Sequence, residues 1–455
     1  MRGLMLFGLL AGAVAAQSPY GRISGRVTDP TGAAVAGAAV KAVNTETNVA
    51  IAATSTPAGN YDLSNVPIGE YRLQAELAGF KQYSRAGVEV RISDSLAIDI
   101  TLEVGAVSET INVTAESPLL ESASADMGQV VDNRRIVDLP LAGGNPMYLT
   151  QLAPAVVQTT SPGHGWLPQA TGPTSNAVVA GTKNGSSEFT IDGIPNMSRG
   201  GQIAFSPPPE MIQEFRVQTA PFDASAGHFT GASITMVLKS GTNDLHGTLF
   251  YSHLSRPLMT RPFFVNRSIY DTSTGPVTPD KVDLFWPYVR TNRYRATFGG
   301  PVYIPHVYNG RNRTFWTFGF DWLDRMRPEQ QFFTVPTAAQ RGGDFSSLLA
   351  LGSQYQIYDP ATIKPSGTRF SRSPFPGNII PASRISPMAS KLIDYYPLPN
   401  TSGAADGGDN YFDARVRTID YKSQIGRIDH QFNENHRIYA SLSMFGSSEH
   451  AQRSV

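Results

Sequence analysis

The sequence predicts a mainly β protein. It has an N-terminal seven-stranded β-sandwich, an α+β second domain and the first strands of an incomplete transmembrane β-barrel. Three observations carry this prediction. Gly (42), Pro (33), Phe (23) and Tyr (18) are abundant while charged residues make up only 16%, a composition of short strands and turns rather than helices. Apolar and polar residues alternate with period two along many segments. In the last part of the chain the alternating runs lengthen and carry aromatics on one face only, the signature of strands that cross a bilayer.

The chain has 455 residues, enough for two to four domains. Lys plus Arg and Asp plus Glu each number 37. A neutral chain lacks the basic surface that phosphate neutralisation requires, which argues against a nucleic-acid partner. The absence of Cys excludes a disulfide framework and thiolate metal sites.

Residues 1–16 read as a signal peptide, with Arg2, an apolar run from Leu4 to Val14, and small residues through Ala16 before the expected cleavage. The run is too short to span a bilayer. Residues 17–104 read as the sandwich. Tyr61 and Leu63, and Tyr71 and Leu73, alternate with polar neighbours, and turns fall at Pro30-Thr31-Gly32, Ala58-Gly59-Asn60 and Pro67-Ile68-Gly69. About seven short strands in this length suit a β-sandwich.

Residues 105–125 form a linker, yet it holds an alternating β-branched run, "ETINVTA". On its residues alone this run, whose β-branched side chains favour the extended state, is a final strand of the sandwich or an ordered linker. Residues 126–240 form the second domain. It has a short helix near "VVDNRRIVDLP", strands on either side of the loop at Thr182–Ser187, then a helical turn, a strand, a Gly-rich loop and another strand. Its apolar content is modest, so packing inside a larger structure is expected to help hold it. The charges Arg134, Arg135, Glu214 and Arg216 either form ion pairs between this domain and the barrel portion or, as is commoner for such residues, face water.

Residues 241–455 form the barrel portion. Trp316, Phe318, Phe320 and Trp322 fall on one face, opposite Thr317, Gly319 and Asp321, and are the candidate lipid-facing aromatics. The same alternation marks "DLHGTLFYSHLS", "TNRYRATFGGPVYI" and "HRIYASLSMFG". "FNENHR" gives a tight turn, whereas Arg325–Asp413 is a long connection. Short turns at one end and long loops at the other are an outer-membrane pattern.

"ISGRVTDPTGAAVAGAAV" and "TPAGNYDLSNVPIGEYRL" resemble the carboxypeptidase regulatory-like domain family. The whole chain resembles TonB-dependent outer-membrane transporters of the Oar-like type. The resembling residues are "DLPLAGGNPMYLTQLAPAV", "EFTIDGIPN", "EMIQEFRVQTAPFDASAGHFTGASITMVLKSGTNDLHG", "FGGPVYIPHVYNGRNRTFWTFGFDWLD", "VPTAAQRGGDFS", "NIIPASRISPMASKLIDYYPLPN" and "RIDHQF". The resemblance implies that Glu109, Thr110, Ile111, Asn112, Val113, Thr114 and Ala115 are a TonB box, a segment that adds as a strand to the periplasmic C-terminal domain of TonB. It implies that residues 126–240 are a plug inside the barrel, with Gly227, His228 and Gly231 in a candidate ligand-sensing loop. Tight packing is the commoner reason for such glycines. It also implies an outer-membrane location, contact with lipid and an unidentified cargo.

No paired His with the spacing of a zinc protease, G-x-S-x-G elbow, P-loop or G-x-G-x-x-G fingerprint is present. No enzyme, metal or cofactor is therefore expected. Two other readings stay open, an outer-membrane adhesion or secretion-related surface protein and a secreted multi-domain β protein. Only four to six spanning strands fit after Gly241. An open sheet edge cannot face lipid, so the sequence reads as the N-terminal part of a longer protein.

Overall fold

The computed structural model describes residues 20–105, 110–114, 127–139, 144–158, 177–179, 181–183, 185–197, 203–220, 230–272 and 275–451. The expected signal peptide lies outside these residues. The chain divides into two compact units. One comprises Met1–Phe250, Tyr294–Asp321 and Ser423–Phe445. The other comprises Tyr251–Arg293, Trp322–Lys422 and Gly446–Val455.

The first unit opens with the sandwich. Its strands are β1 (Gly21–Thr28), β2 (Ala39–Asn44), β3 (Ala50–Thr54), β4 (Asn60–Val66), β5 (Gly69–Glu76), β6 (Gln82–Val90), β7 (Ser95–Ala97) and β8 (Ile100–Thr101). One sheet has the order β4-β1-β7 with β8 also on β1, and the other runs β3-β2-β5-β6. The strand count is eight because the run after Ser95, which alternates as one strand, breaks in two. At the break the Asp99 carboxylate accepts the Arg26 N–H at 2.8 Å, taking a donor that a continuous ladder would use. Alternation fixes the core, since Ile23, Val27, Tyr61, Leu63, Tyr71, Leu73 and Ile100 are buried while Asp62 and Ser64 are exposed. Thr110–Thr114 forms β9, which extends the second sheet at the outer side of β6.

The central domain contains β10 (Met127–Asp132), α1 (Asn133–Asp138), β11 (Val156–Gln158), β12 (Ala177–Val179), β13 (Glu188–Ile191), β14 (Ile194–Pro195), β15 (Ile212–Ala220) and β16 (Ser233–Leu238). Its main sheet runs β10-β15-β16-β13-β14. The Asp132 side chain caps α1 by accepting the Arg135 N–H, one of the donors a helix leaves unpaired at its start. Despite its modest apolar content the domain builds a core of its own, from Val131, Ile136, Met147, Phe189, Phe215, Val217, Ile234 and Met236. Every residue of β16 is buried, because this strand is covered on both faces and paired on both sides.

The last sheet has the order β17-β18-β21-β24-β25. Its strands are β17 (His246–Ser255), β18 (Arg290–Pro301), β21 (Thr314–Phe333), β24 (Tyr411–Asn433) and β25 (His436–Ala451), and the pair β19 (Tyr303–Ile304) and β20 (Tyr308–Asn309) precedes β21. β17 and β25 are its edges, so this sheet does not close. The β24–β25 turn is tight, and the Asn433 side-chain oxygen accepts the N–H groups of Asn435 and His436.

In the second unit, α2 (Phe263–Tyr270) and α3 (Pro279–Phe285) bridge β17 and β18. Ile269 and Phe285 pack with Phe412, and Arg256 and Arg261 lie over the Trp286 ring. The long connection covers residues 334–410, shorter at both ends than the expected Arg325–Asp413, because β21 and β24 extend further than their alternation shows. It carries α4 (Ala338–Arg341), α5 (Pro387–Ile393) and the hairpin β22 (Lys364–Ser366) and β23 (Arg369–Ser371).

Candidate functional site

The barrel-portion strands are inverted relative to a soluble sheet. Along β18, Arg293, Arg295 and Thr297 are buried while Tyr294 and Phe298 are exposed. Along β21, Thr317 and Asp321 are buried, whereas Trp316, Phe320 and Trp322 are partly open and Phe318 is exposed. The four candidate aromatics thus share the outward face. Trp322 Nε1 donates to Asp420 at 3.2 Å, and Lys422 lies over its ring. This gives the indole a polar tip of the kind found at membrane–water boundaries.

What the inward polar groups meet is visible in the first unit. Arg295 pairs with Glu210 at 3.1 Å, and both are about nine-tenths buried or more. Arg427 of β24 pairs with Asp192 at 2.9 Å and with Asp429 at 2.8 Å. Asp192 sits at φ 50° in the turn between β13 and β14, a backbone position that Asp tolerates better than most residues. Its carboxylate accepts the Leu238 N–H at 3.0 Å, and its carbonyl accepts the Tyr439 hydroxyl at 3.0 Å. A buried ion pair is costly to break, because the survivor is left as an uncompensated charge. Two such pairs therefore hold the central domain against β18 and β24. Met211, Leu238, Phe205 and Ile425 add an apolar contact between them.

Beneath the central domain, the loop after β6 is held by two side chains of β15. The Ile92 N–H donates to Glu214 Oε1 at 2.8 Å, and Arg216 Nη1 donates to the Ile92 carbonyl at 2.8 Å. Residues two apart on a strand share a face, so Glu214 and Arg216 together hold the N–H and the C=O of one residue, Ile92. Both are buried. Burial pushes the Glu214 carboxyl up to about 7 against the pull of the Ile92 N–H, with Asp94 raising it further. The expectation that these charges face water holds for Arg134 and Arg135, which are exposed and pair with Asp138 and Asp132. It fails for Glu214 and Arg216. Nothing local in the sequence marks them, because their partner is a backbone group 122 and 124 positions away.

Of the TonB-box residues, Thr110, Ile111, Asn112, Val113 and Thr114 form β9. It pairs in parallel with β6 in the register Gln82↔Thr110, Tyr83↔Ile111, Ser84↔Asn112, Arg85↔Val113 and Ala86↔Thr114. Glu109 and Ala115 lie outside the described residues, as do Gly227 and His228 of the plug loop. Gly231 is described. Its N–H donates to Ser186 O at 2.9 Å, and a Cβ there would come within 2.6 Å of Ser187 Oγ and 3.0 Å of the Ser186 backbone. This is a close-packing requirement. Among the described residues, no three His, Asp or Glu side chains gather as a metal site.

A cleft opens among the sandwich, the central domain and the nearby strand ends, with Asn44, Tyr71, Ser240, Arg313, His430 and Arg437 among its lining.

Exposed aromatics alternating with buried polar groups are the pattern of strands in an outer-membrane β-barrel, and an accessory sandwich precedes them here. Residues 237–455 match the model of an outer membrane beta barrel domain, and residues 22–103 match that of a carboxypeptidase regulatory-like domain. The chain is similar to the TonB-dependent transporter Oar of Myxococcus xanthus, 26% identical over 198 residues, which is 42% of this chain and 18% of that protein. The outer membrane transporter YddB from Escherichia coli aligns with a TM-score of 0.39 at 12% identity, over 71% of this chain and 33% of that one. The alcaligin outer membrane receptor FauA from Bordetella pertussis gives 0.31 at 11%, over 74% and 41%. The matched region thus spans less than a fifth of the curated relative. The barrel domain assigns the protein to the outer membrane.

Proposed function

We propose that this chain is part of a TonB-dependent receptor that takes up a ligand across the outer membrane. The central domain acts as the plug, and Glu109–Ala115 is the segment that TonB captures. Trp316, Phe318, Phe320 and Trp322 face lipid. The observation that supports this best is β9. It belongs to no hairpin and joins its sheet in parallel, by backbone pairing with β6. A segment that augments one sheet edge has the extended backbone and β-branched content to augment another. The inward ion pairs supply what a plug needs, a polar attachment to the wall that can be remade.

The test is binding of the purified C-terminal domain of TonB to the protein and to an Ile111→Pro variant. Proline removes a ladder donor and disfavours pairing within a strand, so the variant is expected to bind at least tenfold more weakly. Absence of binding to both the unaltered protein and a free peptide of residues 109–115 would sink the transporter reading and favour a surface adhesion or secretion role for the same barrel.

A further inference from the structure

We infer that β6 and TonB compete for the same strand: residues 110–114 are held captive on the regulatory-like domain and must leave β6 to be captured. This inference rests on the reading of Glu109–Ala115 as the TonB segment and adds a state in which that segment is sequestered.

The geometry supports it in three ways. All five residues of β9 are registered against β6, from Gln82 to Ala86, so the pairing spans the whole strand. β9 is the last strand of the order β3-β2-β5-β6-β9, so removing it leaves the antiparallel β2, β5 and β6 ladder intact. The pairing is also parallel and short, the less stable kind of ladder per residue. An element that detaches without unfolding its neighbours, and that is held by few bonds, belongs at the low-stability end of a structure, where switching elements are found. Its captive fraction acts as a tax on affinity, because a partner that binds only the free segment sees it diluted by the free fraction.

The chain contains no Cys, so an introduced pair is unique. Ala86 and Thr114 are register partners, Ala86 is exposed, and paired strand positions lie within disulfide reach. The experiment makes the Ala86→Cys, Thr114→Cys double variant and measures its binding to the TonB C-terminal domain, oxidised and reduced. A synthetic peptide of residues 109–115 and the unaltered protein are measured alongside. The expected result has four parts. The disulfide forms readily, and the oxidised protein binds at least tenfold more weakly than the reduced one. Dithiothreitol restores binding, and the free peptide binds more tightly than the intact protein.

Failure of the disulfide to form would overturn the captive pairing. Equal binding by oxidised and reduced protein would overturn the competition while leaving TonB capture in place. Absence of binding by protein and peptide alike would remove the proposed function, and this inference with it.

Discussion

Glu214 sits in a position that its sequence neighbourhood does not announce. A Glu between Gln213 and Phe215 on an alternating strand reads as a solvent-facing charge, yet here it is buried with its carboxylate on the Ile92 N–H. Its folded pKa of about 7 lies above the ordinary 4.5, so the folded state binds the proton more tightly than the unfolded state. The associated stability is complete below pH 4.5 and lost as pH rises through 7, on the order of 3 kcal/mol in all. Glu89, Arg91 and Asp94 from the sandwich and Arg216 from the same strand are the charged groups around it. Denaturant melts at pH 5 and pH 8 are expected to show greater stability at pH 5, with that difference reduced in Glu214→Gln. Identical pH dependence in the two proteins would exclude this role. Gly319 makes a second residue-scale case. A Cβ there would lie 2.4 Å from Met211 Cγ and 3.1 Å from Ile425 Cγ2, so Gly319→Val is expected to cost about 1–3 kcal/mol by overpacking. Thermal melts should show part of that loss recovered in the Gly319→Val, Met211→Ala double variant.

At the scale of elements, what was legible followed periodicity. The strands of the sandwich and of the last sheet were visible because one face differs from the other at every second residue. The long connection was not legible, because its order comes from side chains that imitate backbone. Asn410 accepts the Val335 N–H and donates to the Val335 carbonyl, each at 2.8 Å. Asn400 does the same for Phe412 at 2.7 and 2.8 Å. Asn378 is fully buried at φ 61°. It accepts the Ile357 N–H and donates to the Phe345 and Tyr355 carbonyls. An Asn in a Pro- and Gly-rich run looks like any turn residue, and only the fold reveals which three are hubs. Asn378→Ala strands buried backbone groups, each costing about 1–3 kcal/mol, and forces a left-handed backbone on alanine. Limited proteolysis is expected to cut between Phe345 and Ile380 at least tenfold faster in the variant. Unchanged cleavage would show that the segment is ordered by something else.

At the scale of the molecule, the same alternation that builds the sandwich core builds its inverse in the last sheet, and the difference lies in what each face meets. In the sandwich the aromatics Tyr61 and Tyr71 point to a core and the charges point to water. In β18 and β21, Arg295 and Asp321 are enclosed while Phe298 and Phe318 stand open. In water that arrangement would expose apolar area and bury charge, both unfavourable. In a bilayer the same arrangement would let the open aromatics meet lipid, while Arg295 already meets Glu210 of the central domain. The sequence period alone could not separate these cases, because a soluble sandwich with an aromatic core has the same period. The ion pairs Arg295–Glu210 and Arg427–Asp192 put charge on the side that faces the central domain, as the barrel reading expects. The consequence is measurable with the native indoles, of which the chain has four. Reconstituted into brominated phospholipid, the protein is expected to lose a large part of its tryptophan fluorescence, and Trp316→Leu is expected to lose much of that quenchable component. If Trp316→Leu leaves the quenchable component unchanged, Trp316 does not touch acyl chains and the outward face of β21 must be covered by protein instead.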